Sequence, residues 1–68
     1  MAGGTYGEYI AALEEFRKFD KGNGRPEPSY KAKSLLKSTN NSKYGKEYYG
    51  MAQEAEEIAQ RYGHYDWL

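Results

Sequence analysis

From Tyr6 the large apolar side chains fall at Tyr6, Tyr9, Ile10, Leu13, Phe16 and Phe19. Steps of three and four place them on one face of an α-helix. Glu14 and Lys18 are spaced to pair on the opposite face. Thr5 and Glu8 have capping-box spacing, in which each side chain takes the other's free backbone N–H. The pattern predicts a helix over 6–21, with Gly7 weakening its first turn.

A shorter stretch, "PSYKAKSLLKS", predicts a second helix over 29–38. Ser29 is its cap, and Ala32, Leu35 and Leu36 face inward. "STNNS" reads as a polar loop rich in cap formers. Tyr44, Tyr48, Met51, Ala55, Ile58 and Tyr62 then alternate steps of four and three, widened by Ala52 and Ala59. This predicts a third helix over 42–62. Gly45 and Gly50 interrupt it, each at a cost of about 1 kcal/mol relative to Ala. Such a glycine marks either close approach of another backbone or an unoptimised helix. Gly63 is a C-terminal stop, followed by an aromatic tail over 63–68.

Composition supports helix throughout. Val is absent and Thr and Ile are scarce, so strands have little to build from. The expected fold is all-α, a small helical hairpin or three-helix bundle of long helix, short basic helix and long helix, in one domain of 68 residues. The apolar repeat of the third helix is too short and too polar for a self-sufficient coiled coil. Eight Tyr, two Phe and one Trp outnumber the large aliphatics. A buried Tyr ring also needs a partner for its hydroxyl. Modest stability in isolation is therefore expected.

The junction "FDKGNGRPEP" resembles the start of a calcium-binding loop, but the ligands are missing. Such a loop needs oxygen ligands at its first, third and fifth positions, a sixth-position Gly and a bidentate Glu at the twelfth. Counted from Asp20, these fall on Gly22, Gly24, Arg25 and Lys31. Allowing for one deleted residue puts Tyr30 at the closing position instead. The stretch reads as a helix stop and stiff connector. Gly22 and Gly24 are candidates for the left-handed position, and Pro26 and Pro28 bar continuation.

No chemistry-bearing motif emerges elsewhere. There is no Cys and a single His, His64, so neither a thiolate cluster nor a His-pair mechanism is available within one chain. Glu54, Glu56 and Glu57 lie on the outward arc of the third helix, where carboxylates are normally solvated. "GNGRPEP" lacks the Lys-Ser/Thr ending of a phosphate loop. The expectation is a non-enzymatic protein without cofactor or metal. No apolar run reaches membrane-spanning length, and the N-terminus lacks the features of a secretory signal, so a cytoplasmic location is expected. The glycosylation match at Asn40–Ser42 is then coincidental.

Charge adds two candidate surfaces. Net charge is zero, yet residues 25–46 hold six cations against Glu27, and 47–68 hold five anions against Arg61. These blocks either neutralise each other inside the fold or steer a partner. The basic surface, Arg25, Lys31, Lys33, Lys37, Lys43 and Lys46 with Tyr30 and Tyr44 among them, has the composition of a nucleic-acid contact, though no nucleic-acid motif accompanies it. The second surface is the tail. Tyr62, Tyr65, Trp67 and Leu68 are residue types that anchor protein interfaces. Alternatively Trp67 folds back as a core cap near Ile10 and Leu13, a reading favoured by the shortage of aliphatics. The leading functional expectation is a protein–protein interaction module, an accessory subunit or a small inhibitor of phage type. The alternative is a nucleic-acid-associated protein using 25–46.

Overall fold

The capping box forms as its spacing predicts. In the computed structural model, which describes residues 5–38 and 46–68, Glu8 N–H donates to Thr5 Oγ1 at 3.2 Å. Thr5 N–H donates to the Glu8 carboxylate at 2.9 Å. Helix α1 spans Tyr6–Lys21, α2 Tyr30–Ser38 and α3 Lys46–Arg61. The described residues contain no strand, and the architecture is all-α with three helices. The expected start of the third helix at 42, and the readings of Lys43, Tyr44, Gly45 and Asn40–Ser42, lie outside the described residues.

Polar contacts fix the helix order. Ser29 caps α2, its Oγ accepting the Ala32 N–H at 3.2 Å. Ser29 also donates its N–H and hydroxyl to Glu15 at 2.7 and 3.3 Å. The start of α2 is thereby tied to the third turn of α1. Lys31 pairs with Glu8 at 3.2 Å, so α2 runs back along α1. Helix α3 runs parallel to α1. Tyr48 packs edge-on against Tyr6 and Tyr9 at their N-terminal ends, with centroids 5.6 and 5.0 Å apart. Arg17 reaches Glu54 midway at 2.7 Å, and Arg61 reaches Asp20 at the C-terminal ends, also at 2.7 Å.

The core lies between these helices. Tyr9, Leu13, Phe16 and Phe19 from α1 meet Ala32 and Leu36 from α2 and Met51, Ala55, Ile58 and Ala59 from α3. Two members of the expected α1 stripe fall outside it. Tyr6 is exposed, and Ile10 is 36% exposed, while Ala12 is buried. At roughly 100° per residue the buried set runs from Phe19 round to Leu13. Ile10 stands about 60° beyond that edge by the same geometry. The expected Glu14–Lys18 pair is also replaced. Glu14 takes Arg17 at 2.8 Å, and the same guanidinium grips Glu54.

Both α1 and α3 end in the same hydrogen-bonded reversal. After α3, His64 N–H bonds to Ala59 C=O at 2.9 Å and Gly63 N–H to Gln60 C=O at 3.0 Å, with Gly63 at φ 84. After α1, Gly24 N–H bonds to Phe19 C=O at 2.9 Å and Asn23 N–H to Asp20 C=O at 3.1 Å, with Asn23 at φ 56. These are Schellman motifs, in which one left-handed residue lets the last carbonyls find donors. Gly24 is left-handed as expected, at φ 102, but Gly22 is not, at φ −86. Asn23 supplies the reversal, as its short polar side chain permits. Gly22 is needed for space, because a Cβ there would lie 1.8 Å from the Arg25 carbonyl oxygen. Gly50 meets no such demand. Among the described residues nothing lies within 4 Å of where its Cβ would stand, which fits an unoptimised helix rather than a close approach.

Candidate functional site

The parallel course of α1 and α3 decides where the tail goes. Gly63 turns the chain beside the end of α1, and Asp20 locks that junction. Its carboxylate accepts from Arg61 at 2.7 Å and from the Tyr62 hydroxyl at 2.9 Å, with the Asp20 carbonyl 3.0 Å from the same hydroxyl. Both oxygens of the acid that opens the calcium-like stretch are thus engaged by protein groups. Among the described residues no three metal-ligating side chains cluster.

Beyond the junction the tail folds onto the core. Trp67 lies at 5.2 Å from Phe19 and 6.1 Å from Phe16, and His64 stacks on it at 3.9 Å with the rings 5° from parallel. Leu68 and Tyr62 also pack against the core. The dock is internal, against the core that includes Leu13, with the Trp67 ring on Phe16 and Phe19, further along α1 than Ile10. Of the four proposed tail anchors, Tyr62, Trp67 and Leu68 are half-buried, and only Tyr65, 70% exposed, points away.

Trp67 is half-buried, and its ring also meets α2. The Lys33 ammonium stands 4.3 Å from the Trp67 ring centroid, a cation–π contact. Tyr30, Lys33, Ser34 and Lys37 line an open groove of about 330 Å³ whose other wall is Asp66 and Trp67. The four α2 residues fall at i, i+3, i+4 and i+7, one helical stripe. Tyr30 is 84% exposed, the most open large hydrophobic residue among those described. The two surfaces that read as alternatives in the sequence, the basic segment and the aromatic tail, therefore share this groove.

The charge blocks do not neutralise each other here. Among the described residues Lys31 pairs with Glu8 and Lys33 with Glu27 at 3.9 Å, while Glu54 pairs with Arg17. Neither Arg25 nor Lys37 forms an ion pair within the described residues. Lys43 lies outside the described residues, and the Lys46 side chain with it. A wider groove of about 530 Å³ between α1 and α3 is floored by Ile58 and crossed by Arg17–Glu54 and Arg61–Asp20, so its charges are largely satisfied internally.

These pairs make stability depend on pH. Hydrogen bonds from Tyr62 and then Arg61 hold the Asp20 carboxyl below its ordinary value. The Thr5 N–H and Lys31 do the same for Glu8, and Arg17 for Glu54. A carboxylate lowered in the folded state stabilises above its unfolded pKa and loses that contribution as pH falls through the folded one. The melting temperature should therefore drop on acidification from about pH 5 to about pH 3. An Asp20→Asn variant should show a smaller drop over the same interval. Equal slopes for the two proteins would remove Asp20 from the acid response.

Deleting His64–Leu68 tests the tail. The deletion removes a half-buried Trp, a half-buried Leu and the His64 N–H that closes the α3 cap. Burial of such side chains is worth about 1.5–3 kcal/mol each when complete. A net loss of about 2 kcal/mol, or roughly 8–16 °C in melting temperature for a domain of this size, is expected in the isolated protein. An unchanged melt would show that the docked tail contributes nothing to the fold.

Local spacing could not reveal several members of this region. Asp66 as a wall of the groove along α2 and Asp20 as the clamp on Arg61 and Tyr62 depend on contacts between different elements, and the His64–Trp67 stack, though only three residues apart, lies in a tail with no regular period to read. Tyr30 carried a readable signal, since it lies on the Lys33–Lys37 stripe. Compared with protein-family models, curated proteins and solved structures, the chain matches none.

Proposed function

We propose that the protein is a non-enzymatic, cytoplasmic protein-binding module, an accessory subunit or small inhibitor, and that it engages its partner through the Tyr30–Trp67 groove. The observation that carries this reading is Tyr30, 84% exposed beside Trp67 and two lysines. An exposed aromatic next to a part-buried one is the residue chemistry of an interface anchor. Among the described residues no helix is long and apolar enough to cross a membrane.

The nucleic-acid alternative draws on the same cations. It is the weaker reading because the net charge is zero and no nucleic-acid motif accompanies the lysines. Its binding would be mainly electrostatic and would fall steeply with salt.

Affinity purification from the native source, run in parallel with wild type and Tyr30→Ala, tests the proposal. Tyr30 touches little of the core, so the variant should melt as wild type does. Its specific protein partners should be captured at least tenfold less, about 1.4 kcal/mol in affinity. Full capture by Tyr30→Ala would place the interface elsewhere. Recovery of nucleic acid that disappears at high salt would favour the alternative.

A further inference from the structure

The groove differs from an ordinary apolar cleft in its inventory of polar groups. Along α2 it carries the Tyr30 hydroxyl, the Lys33 ammonium, the Ser34 hydroxyl and the Lys37 ammonium, all able to donate. Asp66 alone among the lining side chains is a dedicated acceptor. Lys33 is held in place by Trp67 and, at 3.9 Å, by Glu27. Lys37 sits one turn further on and has no ion pair among the described residues. Cβ atoms one helical turn apart are about 5–6 Å from each other, so one carboxylate can lie between the two ammonium groups. The open Tyr30 ring, with the exposed part of Trp67 across the groove, offers contact to an apolar side chain beside it.

We infer that the groove takes an acidic segment of a partner protein, with Asp or Glu side chains set against Lys33 and Lys37 and an adjacent large apolar side chain against Tyr30 and Trp67. This names the partner chemistry of the site proposed above and rests on that reading. Lys33 and Lys37 stand one helical turn apart, and an amphipathic helix can present acidic and apolar side chains at the same interval, so the segment is taken as helical. Charge complementarity sets its sign: an approaching carboxylate gains donors at Ser34, at Lys37, which has no ion pair among the described residues, and at Lys33, against repulsion from Asp66 and from the Glu27 carboxylate 3.9 Å from Lys33.

Trp67 is the only Trp of the chain and lines the groove, so its fluorescence reports occupancy directly. The probe is a Trp-free helical peptide carrying two Glu one turn apart beside a Phe, titrated into the full chain at low salt. The controls are the same peptide with Gln or with Lys at the Glu positions, and an oligothymidylate. The Glu peptide should shift Trp67 emission and bind at least tenfold more tightly than the Gln peptide. The Lys peptide should be weaker still. A Lys37→Glu variant should lose the Glu peptide and gain the Lys peptide, its melt falling by no more than a few degrees because Lys37 is exposed, although it stands in the last turn of α2.

Equal binding of the Glu and Gln peptides would overturn the inference, as would an undiminished response in Lys37→Glu. Preferential binding of the oligothymidylate, lost in Lys37→Glu, would overturn it too and assign the groove to phosphate. Failure here is separable from failure of the protein-binding reading. If capture of native partners is lost in Tyr30→Ala yet kept in Lys37→Glu, the groove binds protein but not through acidic side chains.

Discussion

A Phe19→Ala variant should be largely unfolded at room temperature. Phe19 is fully buried and touches Tyr62, His64 and Trp67, so one ring joins α1, the end of α3 and the tail. Its backbone carbonyl also accepts the Gly24 N–H that closes the α1 cap. Truncating a core Phe to Ala costs about 3–5 kcal/mol, from lost transfer energy and the cavity left behind. Stable domains hold only roughly 5–15 kcal/mol in total, and a chain of this size sits at the low end. Far-ultraviolet circular dichroism should show loss of helix, and Trp67 emission should move to that of a solvated indole. A cooperative melt within a few degrees of wild type would mean that the tail and α3 hold together without this ring.

Ile58→Ala should follow closely, at about 2–5 kcal/mol. Ile58 is 3% exposed and lies in the core with Ala55 and Ala59. It also floors the groove crossed by Arg17–Glu54 and Arg61–Asp20. Neighbouring alanines cannot move to fill the space left by a shortened side chain, so the cavity should persist. Ile58→Val provides the graded control, at about 0.5–1.5 kcal/mol. Urea unfolding of the three proteins should give midpoints in the order Ile, Val, Ala with similar slopes. If all three unfold at the same midpoint, Ile58 faces a partner or solvent and its contribution to the core is nil.

These two residues illustrate different degrees of legibility. Ile58 was readable because α3 has a single buried arc, and the alternation of four and three places Ile58 within it without knowledge of the other helices. Phe19 was readable as a core residue, but not as the joint between the tail and both caps. Its partners lie 43 or more positions away in sequence, and no local period encodes such a contact. Ile10 shows the opposite failure. An apolar residue at helical spacing joins the stripe on paper, and only the positions of α2 and α3 decide that the stripe ends at Leu13.

The groove shows the same division. The lysines, the exposed Tyr and the aromatic tail could each be named in advance, but as competing surfaces. They share a groove because α2 runs back along α1 while α3 runs parallel to it, bringing the tail beside the start of α2.

The sequence by itself determined what is local. The start and end of α1, the start of α2 with its Ser29 cap, the capping box and the stop at Gly63 rest on interactions within a few residues of one another. Such interactions are set by side-chain chemistry and helical geometry alone. The tertiary structure decided what is distant. The pairing of Arg17 with Glu54 rather than of Glu14 with Lys18, the engagement of Asp20 by Arg61 and Tyr62, and the seat of Trp67 on Phe16 and Phe19 required the helices to be placed first. Hydrophobic burial drives that placement and is non-directional, so the apolar pattern says that faces must meet but not which polar groups arrive together when they do.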